Sequence, residues 1–203
     1  PTRRSSDLNW NPDIDPQHRR RNPNDVSGGG LITHLTMWAE TDEGLVNLMK
    51  ASTDANLEGR VMRYPRMDKE ILAKYSKGII ASSGCPSGII QTRLLLGQFD
   101  EALRAAGELQ DIFGRDNFYI EFMDHGLKIE KQVTDGLLDI AKKLNAPLLA
   151  TNDSHYVRAE DAGSQDAMLC INSGSTLDEP GRFKFDGTGY YLKSAEEIGR
   201  ASC

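Results

Sequence analysis

Residues 99–151 read FDEALRAAGELQDIFGRDNFYIEFMDHGLKIEKQVTDGLLDIAKKLNAPLLAT. From Phe99 to Phe113, the positions Phe99, Leu103, Ala106, Leu109 and Ile112–Phe113 fall near the roughly 3.6-residue period of an amphipathic helix. Phe118 to Met123 (FYIEFM) predicts a strand. Ile129 to Leu144 predicts a second helix, with Ile129, Val133, Leu137, Ile140, Ala141 and Leu144 on one face. Pro147 to Thr151 (PLLAT) predicts another strand. Strands alternating with helices imply parallel pairing through helical crossovers, and so an α/β fold.

The pattern continues outward on both sides. Upstream, Gly78 to Ser82 (GIIAS) predicts a short buried strand, and with PLLAT it suits a sheet covered on both faces. Lys69 to Ser76 predicts a short helix with Asp68 as its N-cap. Glu43 to Ala55 predicts a helix with Leu45, Val46, Leu48 and Met49 on its apolar side, and Ile32 to Ala39 (ITHLTMWA) predicts a strand. Residues 9–30 are polar, with Gly28-Gly29-Gly30 and the basic run His18-Arg19-Arg20-Arg21, and read as a solvated loop. Downstream, residues 159–172 predict a helix, and Ser194-x-x-Glu197 has the form of a capping box at a helix start.

Composition excludes several function classes. The net charge of −6 is a poor footprint for free-standing nucleic-acid binding, which shows a basic stripe. No apolar run reaches the roughly 18–20 residues that span a bilayer, and no secretory signal is present, so a cytoplasmic location with no membrane partner is expected. The three cysteines, Cys85, Cys170 and Cys203, are widely spaced and odd in number, which argues against a disulfide framework. Residues 1–8 (PTRRSSDL) and 198–203 (IGRASC) are what a common sequencing adapter and its reverse complement encode. Both ends are therefore expected to be non-natural and to pack on nothing, with 9–197 as the natural part.

In parallel α/β folds, functional groups gather at the carboxyl ends of strands. After PLLAT come Asn152-Asp153-Ser154-His155. If the strand runs on, Asp153 and His155 point the same way, which suits a divalent metal. A polar loop with a turn aspartate is the other reading. After GIIAS comes Ser83-Gly84-Cys85-Pro86-Ser87-Gly88, where Cys85 is a thiolate ligand, a nucleophile or a packed small residue. His34 sits alone in a strand, where a histidine is more often a core residue than a ligand. His125 is a second-shell or turn residue. Cys170 reads as a buried helix residue.

Five segments together carry a family resemblance: THLTMWAE (33–40), GCPSGIIQTRLLLGQFDEAL (84–103), EFMDHG (121–126), ATNDSHYV (150–157) and RFKFDGTGYYLKS (182–194). They resemble the polymerase-and-histidinol-phosphatase (PHP) domain of bacterial DNA polymerase III alpha subunits, in the actinobacterial style. The resemblance implies a distorted β/α barrel of about seven strands with metal ligands at one mouth. It implies divalent ions there (zinc, manganese or magnesium), about three at most in the complete domain. By motif, His34, Cys85, Asp153 and His155 match ligand positions, and none of them is a clear general base. The family's earlier ligands are expected before residue 9, and the polymerase palm after Lys193; residues 9–197 would be the later two-thirds of the domain. The implied function is DNA-directed DNA polymerase, its PHP domain acting as a metal-dependent 3′–5′ exonuclease or as structural support. Implied partners are primer-template DNA, the sliding clamp and the clamp loader. A stand-alone phosphoesterase for a small phosphate ester is the alternative.

Overall fold

A computed structural model describes residues 33–60 and 65–201. The expectations for residues 1–30, for Ile32 and for Cys203 lie outside the described residues.

The described chain forms four strands and seven helices: β1 (Thr36–Ala39), α1 (Asp42–Leu57), α2 (Lys69–Tyr75), β2 (Ile79–Ser82), α3 (Ile89–Leu95), α4 (Phe99–Phe113), β3 (Phe118–Met123), α5 (Lys128–Leu144), β4 (Leu148–Thr151), α6 (Ala162–Ser173) and α7 (Ala195–Ala201). The strands lie in the order β1-β2-β3-β4, an open mixed sheet. The chain divides into two compact units. One holds the residues up to Glu121 with Gln132–Leu149, and the other holds Phe122–Lys131 with the residues from Ala150 on.

The first unit holds the main core. Phe118 and Ile120 of β3, Ile79 and Ala81 of β2, Leu109 of α4 and Leu137 and Ile140 of α5 are all buried. These are positions that the local periods place on apolar faces. β2 and β3 pair in parallel, Ala81 with Phe118 and Ser82 with Tyr119, as the crossover argument requires.

β1 departs from that rule and pairs antiparallel to β2, Thr36 with Ser82 and Ala39 with Ile79. The reason lies in where the chain returns. The amide of Glu40, just past β1, donates to the Gly78 carbonyl at 2.9 Å, so β2 begins where β1 ended. The chain goes out along α1 and comes back through α2, a complete loop, and the next strand must run the other way. Between β2 and β3 only α4 makes the traverse. The short α3 stays near the end of β2, where Gln91 donates to Ser83 Oγ at 3.1 Å and to the Gly84 carbonyl at 2.7 Å.

Three other features differ from the periodic reading. The buried residues of α1 are Gly44, Ala51 and Ala55, whereas Leu45, Val46 and Met49 are exposed. At Gly44, the close approach of α1 to Gly78, just before β2, admits no side chain. β4 is half-buried rather than covered, with Leu148 exposed, because it is an edge strand. Helix α3 has no apolar period, since its buried residues include Gln91, Thr92 and Arg93. Arg93 is satisfied by Gln98 Oε1 at 2.7 Å.

Local capping signals hold. Asp68 Oδ1 accepts from the Ile71 amide at 2.9 Å at the start of α2. Ser194 and Glu197 exchange the two bonds of a capping box at the start of α7. Asp68→Ala is expected to cost about 1 kcal/mol in urea unfolding, and Asp68→Asn to recover most of it. Neither Cys85 nor Cys170 is in a disulfide. No helix of the described residues is long and apolar enough to cross a membrane.

Candidate metal centre

In the first unit, a hydrogen-bonded frame holds the loop after β2. Ser82 Oγ donates to the buried Glu121 carboxylate of β3. Ser83 Oγ accepts from the Glu121 amide at 2.9 Å. Gly84, at φ +79°, turns the chain so that Cys85 faces back toward β1. His34 is bridged to the same loop, its amide donating to the Ser87 carbonyl at 3.0 Å. The outcome is a Cys85 Sγ–His34 Nδ1 distance of 3.4 Å. His34 also lines a cavity of about 300 Å³ with Arg66, Leu72 and Ile89.

In the second unit, β4 ends at Thr151, so strand alternation does not carry Asp153 and His155 as the sequence argument assumed. The segment at Tyr190–Tyr191 positions them instead. The Tyr190 carbonyl accepts from the His155 amide at 2.8 Å, and Asn152 Nδ2 donates to the Tyr191 carbonyl at 2.6 Å. Asp153 Oδ2 and His155 Nε2 lie 3.3 Å apart. Phe185 meets the His155 ring edge-on at 4.6 Å, and Tyr190 does so at 6.0 Å.

Within each pair, the donor spacing fits one divalent ion held by those two donors. Metal–ligand bonds of about 2.0–2.3 Å in tetrahedral geometry put neighbouring donor atoms about 3.3–3.7 Å apart. Imidazole, thiolate and carboxylate are the donor types that zinc-like ions take. A thiol–imidazole hydrogen bond has the same span, so the distance permits an ion without requiring one. Among the described residues, no three His, Cys, Asp or Glu side chains form a group that could hold a metal. Each pair therefore supplies two donors.

His125 lies in the bend after β3, with its side chain turned inward. Its side chain is 2 % exposed, and its Nδ1 lies 2.6 Å from Glu130 Oε1. Glu130 Oε2 accepts from the His125 amide at 2.8 Å and the Leu127 amide at 3.2 Å. Burial disfavours the charged carboxylate, but the His125 imidazole and these amides outweigh it and hold Glu130 below the usual range. The His125 ring stacks on Tyr190 at 4.5 Å. Burial, then the charges of Glu130 and Asp153, push the Tyr190 phenol up to about 12. Sequence reasoning missed Glu130. Its signal was local: a glutamate in the first turn of α5, able to reach back to the amides before the helix.

A depressed carboxylate stabilises the fold above its unfolded value and loses that contribution as pH falls through the folded value. Glu130→Gln is therefore expected to flatten the stability profile below the ordinary glutamate value of 4.5, checked by unfolding midpoints measured as pH is lowered.

Comparison with known proteins agrees with the motifs. The PHP domain family model matches residues 8–125. DNA polymerase III subunit alpha of Saccharopolyspora erythraea is 58 % identical over 174 residues, which are 86 % of this chain and 14 % of that protein. The subunit of Mycobacterium tuberculosis is 56 % identical over 174 residues, covering 86 % and 15 %. That of Thermus aquaticus is 41 % identical over 170 residues, covering 84 % and 14 %. The chain thus spans about one-seventh of the length of these relatives. With the family match covering more than half of its residues, the chain belongs to the PHP domain family.

Proposed function

We propose that the chain is a segment of a DNA polymerase III alpha subunit, a cytoplasmic replicative DNA polymerase. Its PHP domain would remove mismatched 3′ termini by metal-dependent hydrolysis. The observation that carries the metal reading is the spacing of the two donor pairs, Cys85–His34 at 3.4 Å and Asp153–His155 at 3.3 Å. Zinc, manganese or magnesium would be held by His34, Cys85, Asp153 and His155. When bound, such ions supply Lewis-acid stabilisation of a phosphoryl oxygen and a water of lowered pKa. The chain's own residues orient the donors: Glu121 and Gln91 steady the cysteine loop, and the Tyr190–Tyr191 segment steadies the aspartate–histidine loop. The net charge of −6 supports a division of labour in which other parts of the polypeptide grip primer-template DNA, and the sliding clamp and clamp loader are its partners in replication.

A second reading starts from the chemistry of ligation, since bound metal stabilises a fold whether or not it catalyses. In that reading the PHP domain binds metal as a structural support. The test is excision of a mismatched primer end by the intact protein, supplied in turn with manganese, magnesium and zinc. Excision with any of them supports the exonuclease. Bound metal with no excision in all three supports the scaffold.

A further inference from the structure

We propose that Glu130, His125 and Tyr190 form a positioning chain that holds His155 in ligand geometry beside Asp153. The inference rests on the metal reading of that pair and adds residues to which the ligand motifs assign no role. Its first link is Glu130, whose two carboxylate oxygens receive the His125 ring and the amides of His125 and Leu127. The 2.6 Å contact between His125 Nδ1 and Glu130 Oε1 fixes the plane of the His125 ring. The second link is the stack, with ring planes 12° apart, that sets the Tyr190 ring against His125. The third is Tyr190 itself. Its carbonyl takes the His155 amide, and its ring and that of Phe185 confine the His155 imidazole from two edges.

Packing alone does not account for this arrangement. A Glu–His pair buried to 5 % and 2 % side-chain exposure is more costly than apolar residues of the same volume. His125 Nε2 is also buried with no hydrogen-bond partner among the described residues, a further cost. A rigid outer shell is what a metal pair on a loop needs, because donors left free to rotate lose the affinity that a preset geometry gives.

The experiment uses the intact polypeptide with His125→Ala, Glu130→Gln and the control Tyr190→Phe. Manganese(II) alone is the probe, and the sites scored are those that Asp153→Asn removes. In parallel, the chelated protein is treated with diethyl pyrocarbonate, and modification of His155 is followed by mass spectrometry. His125→Ala and Glu130→Gln are expected to weaken manganese binding by about 10–100-fold. Both are also expected to speed His155 modification severalfold in the metal-free protein, with the unfolding midpoint in chelator as the check on global folding. Tyr190→Phe keeps the ring and the carbonyl and leaves both readouts unchanged. Should His125→Ala fail to fold, His125→Phe decides, since it keeps the stack and drops the Glu130 bond, and weaker binding is expected. Unchanged binding and unchanged His155 modification in these variants overturn the proposal. So does a Tyr190→Phe effect as large as that of His125→Ala, which would put the hydroxyl in the role. If no manganese site depends on Asp153 while His155 modification still follows His125 and Glu130, the metal reading falls and the positioning chain stands.

Discussion

Under the proposed exonuclease reading, Asp153→Asn in the intact polypeptide is expected to lower excision of a mismatched primer terminus by about 100-fold or more, with primer extension nearly unchanged. The magnitude follows from the metal-ligand role proposed for Asp153. Loss of an outer-shell partner costs about 10–100-fold in metal affinity or activity, and a direct ligand costs no less. Asparagine keeps the shape of aspartate but offers a neutral carbonyl oxygen, a much weaker donor to a divalent ion. The fold has no reason to suffer. The Asp153 side chain is 51 % exposed, and its contact with His155 is at the surface. The check is a pair of assays on one preparation, mismatch excision and matched-primer extension. Loss of both together, with a lowered melting temperature, would mean that Asp153 supports the structure and not the chemistry.

Gly44→Ala is the largest effect expected on stability. A Cβ at Gly44 would sit 1.8 Å from the Gly78 carbonyl oxygen and 2.5 Å from its carbon. Both partners are backbone, one in the first turn of α1 and the other at the start of β2, and neither can rotate away. The contact is reciprocal: a Cβ on Gly78, whose φ is +72°, would meet Thr41 Oγ1 at 2.3 Å. Thr41 is itself engaged, accepting from the Gly44 amide at 3.1 Å as the N-cap of α1. Relieving the overlap means lifting α1 from the sheet, at about 3 kcal/mol or more. That corresponds to roughly 6–12 °C in melting temperature for a domain of this size. Gly163 in α6 is the contrast, with nothing within 4 Å of its Cβ position. Gly163→Ala is expected to be neutral or to stabilise by up to about 1 kcal/mol. Equal losses at the two glycines would contradict the packing described for α1.

The elements legible in the sequence share a property. α4, α5, β2 and β3 each bury an apolar set at their own period, with Leu109, Ile140, Ala81 and Phe118 at its centre. α3 was illegible because its interior is polar, and Gln91 is buried only because Ser83 and the Gly84 carbonyl are there to receive it. The face of α1 misled for the opposite reason. Leu45, Val46 and Met49 are hydrophobic enough to look like a core, yet they are exposed, and α1 buries Gly44, Ala51 and Ala55 instead, with Gly44 tight against the Gly78 backbone. His125 was visible as a residue after a strand. Its burial was not, because that depends on Glu130 and Tyr190 closing over it.

The sequence by itself determined the α/β class, the main helices and strands, the caps at Asp68 and Ser194, and the donor types at His34, Cys85, Asp153 and His155. These are local properties, written in spacing over one or two turns and in side-chain chemistry. Only the tertiary structure decided that β1 runs against β2, that Cys85 meets His34 across 51 residues, and that the Tyr190–Tyr191 segment rather than strand alternation holds the loop of Asp153 and His155. Those outcomes depend on where the chain returns in space. A periodic pattern states which side chains seek burial and leaves open which distant backbone they will meet there.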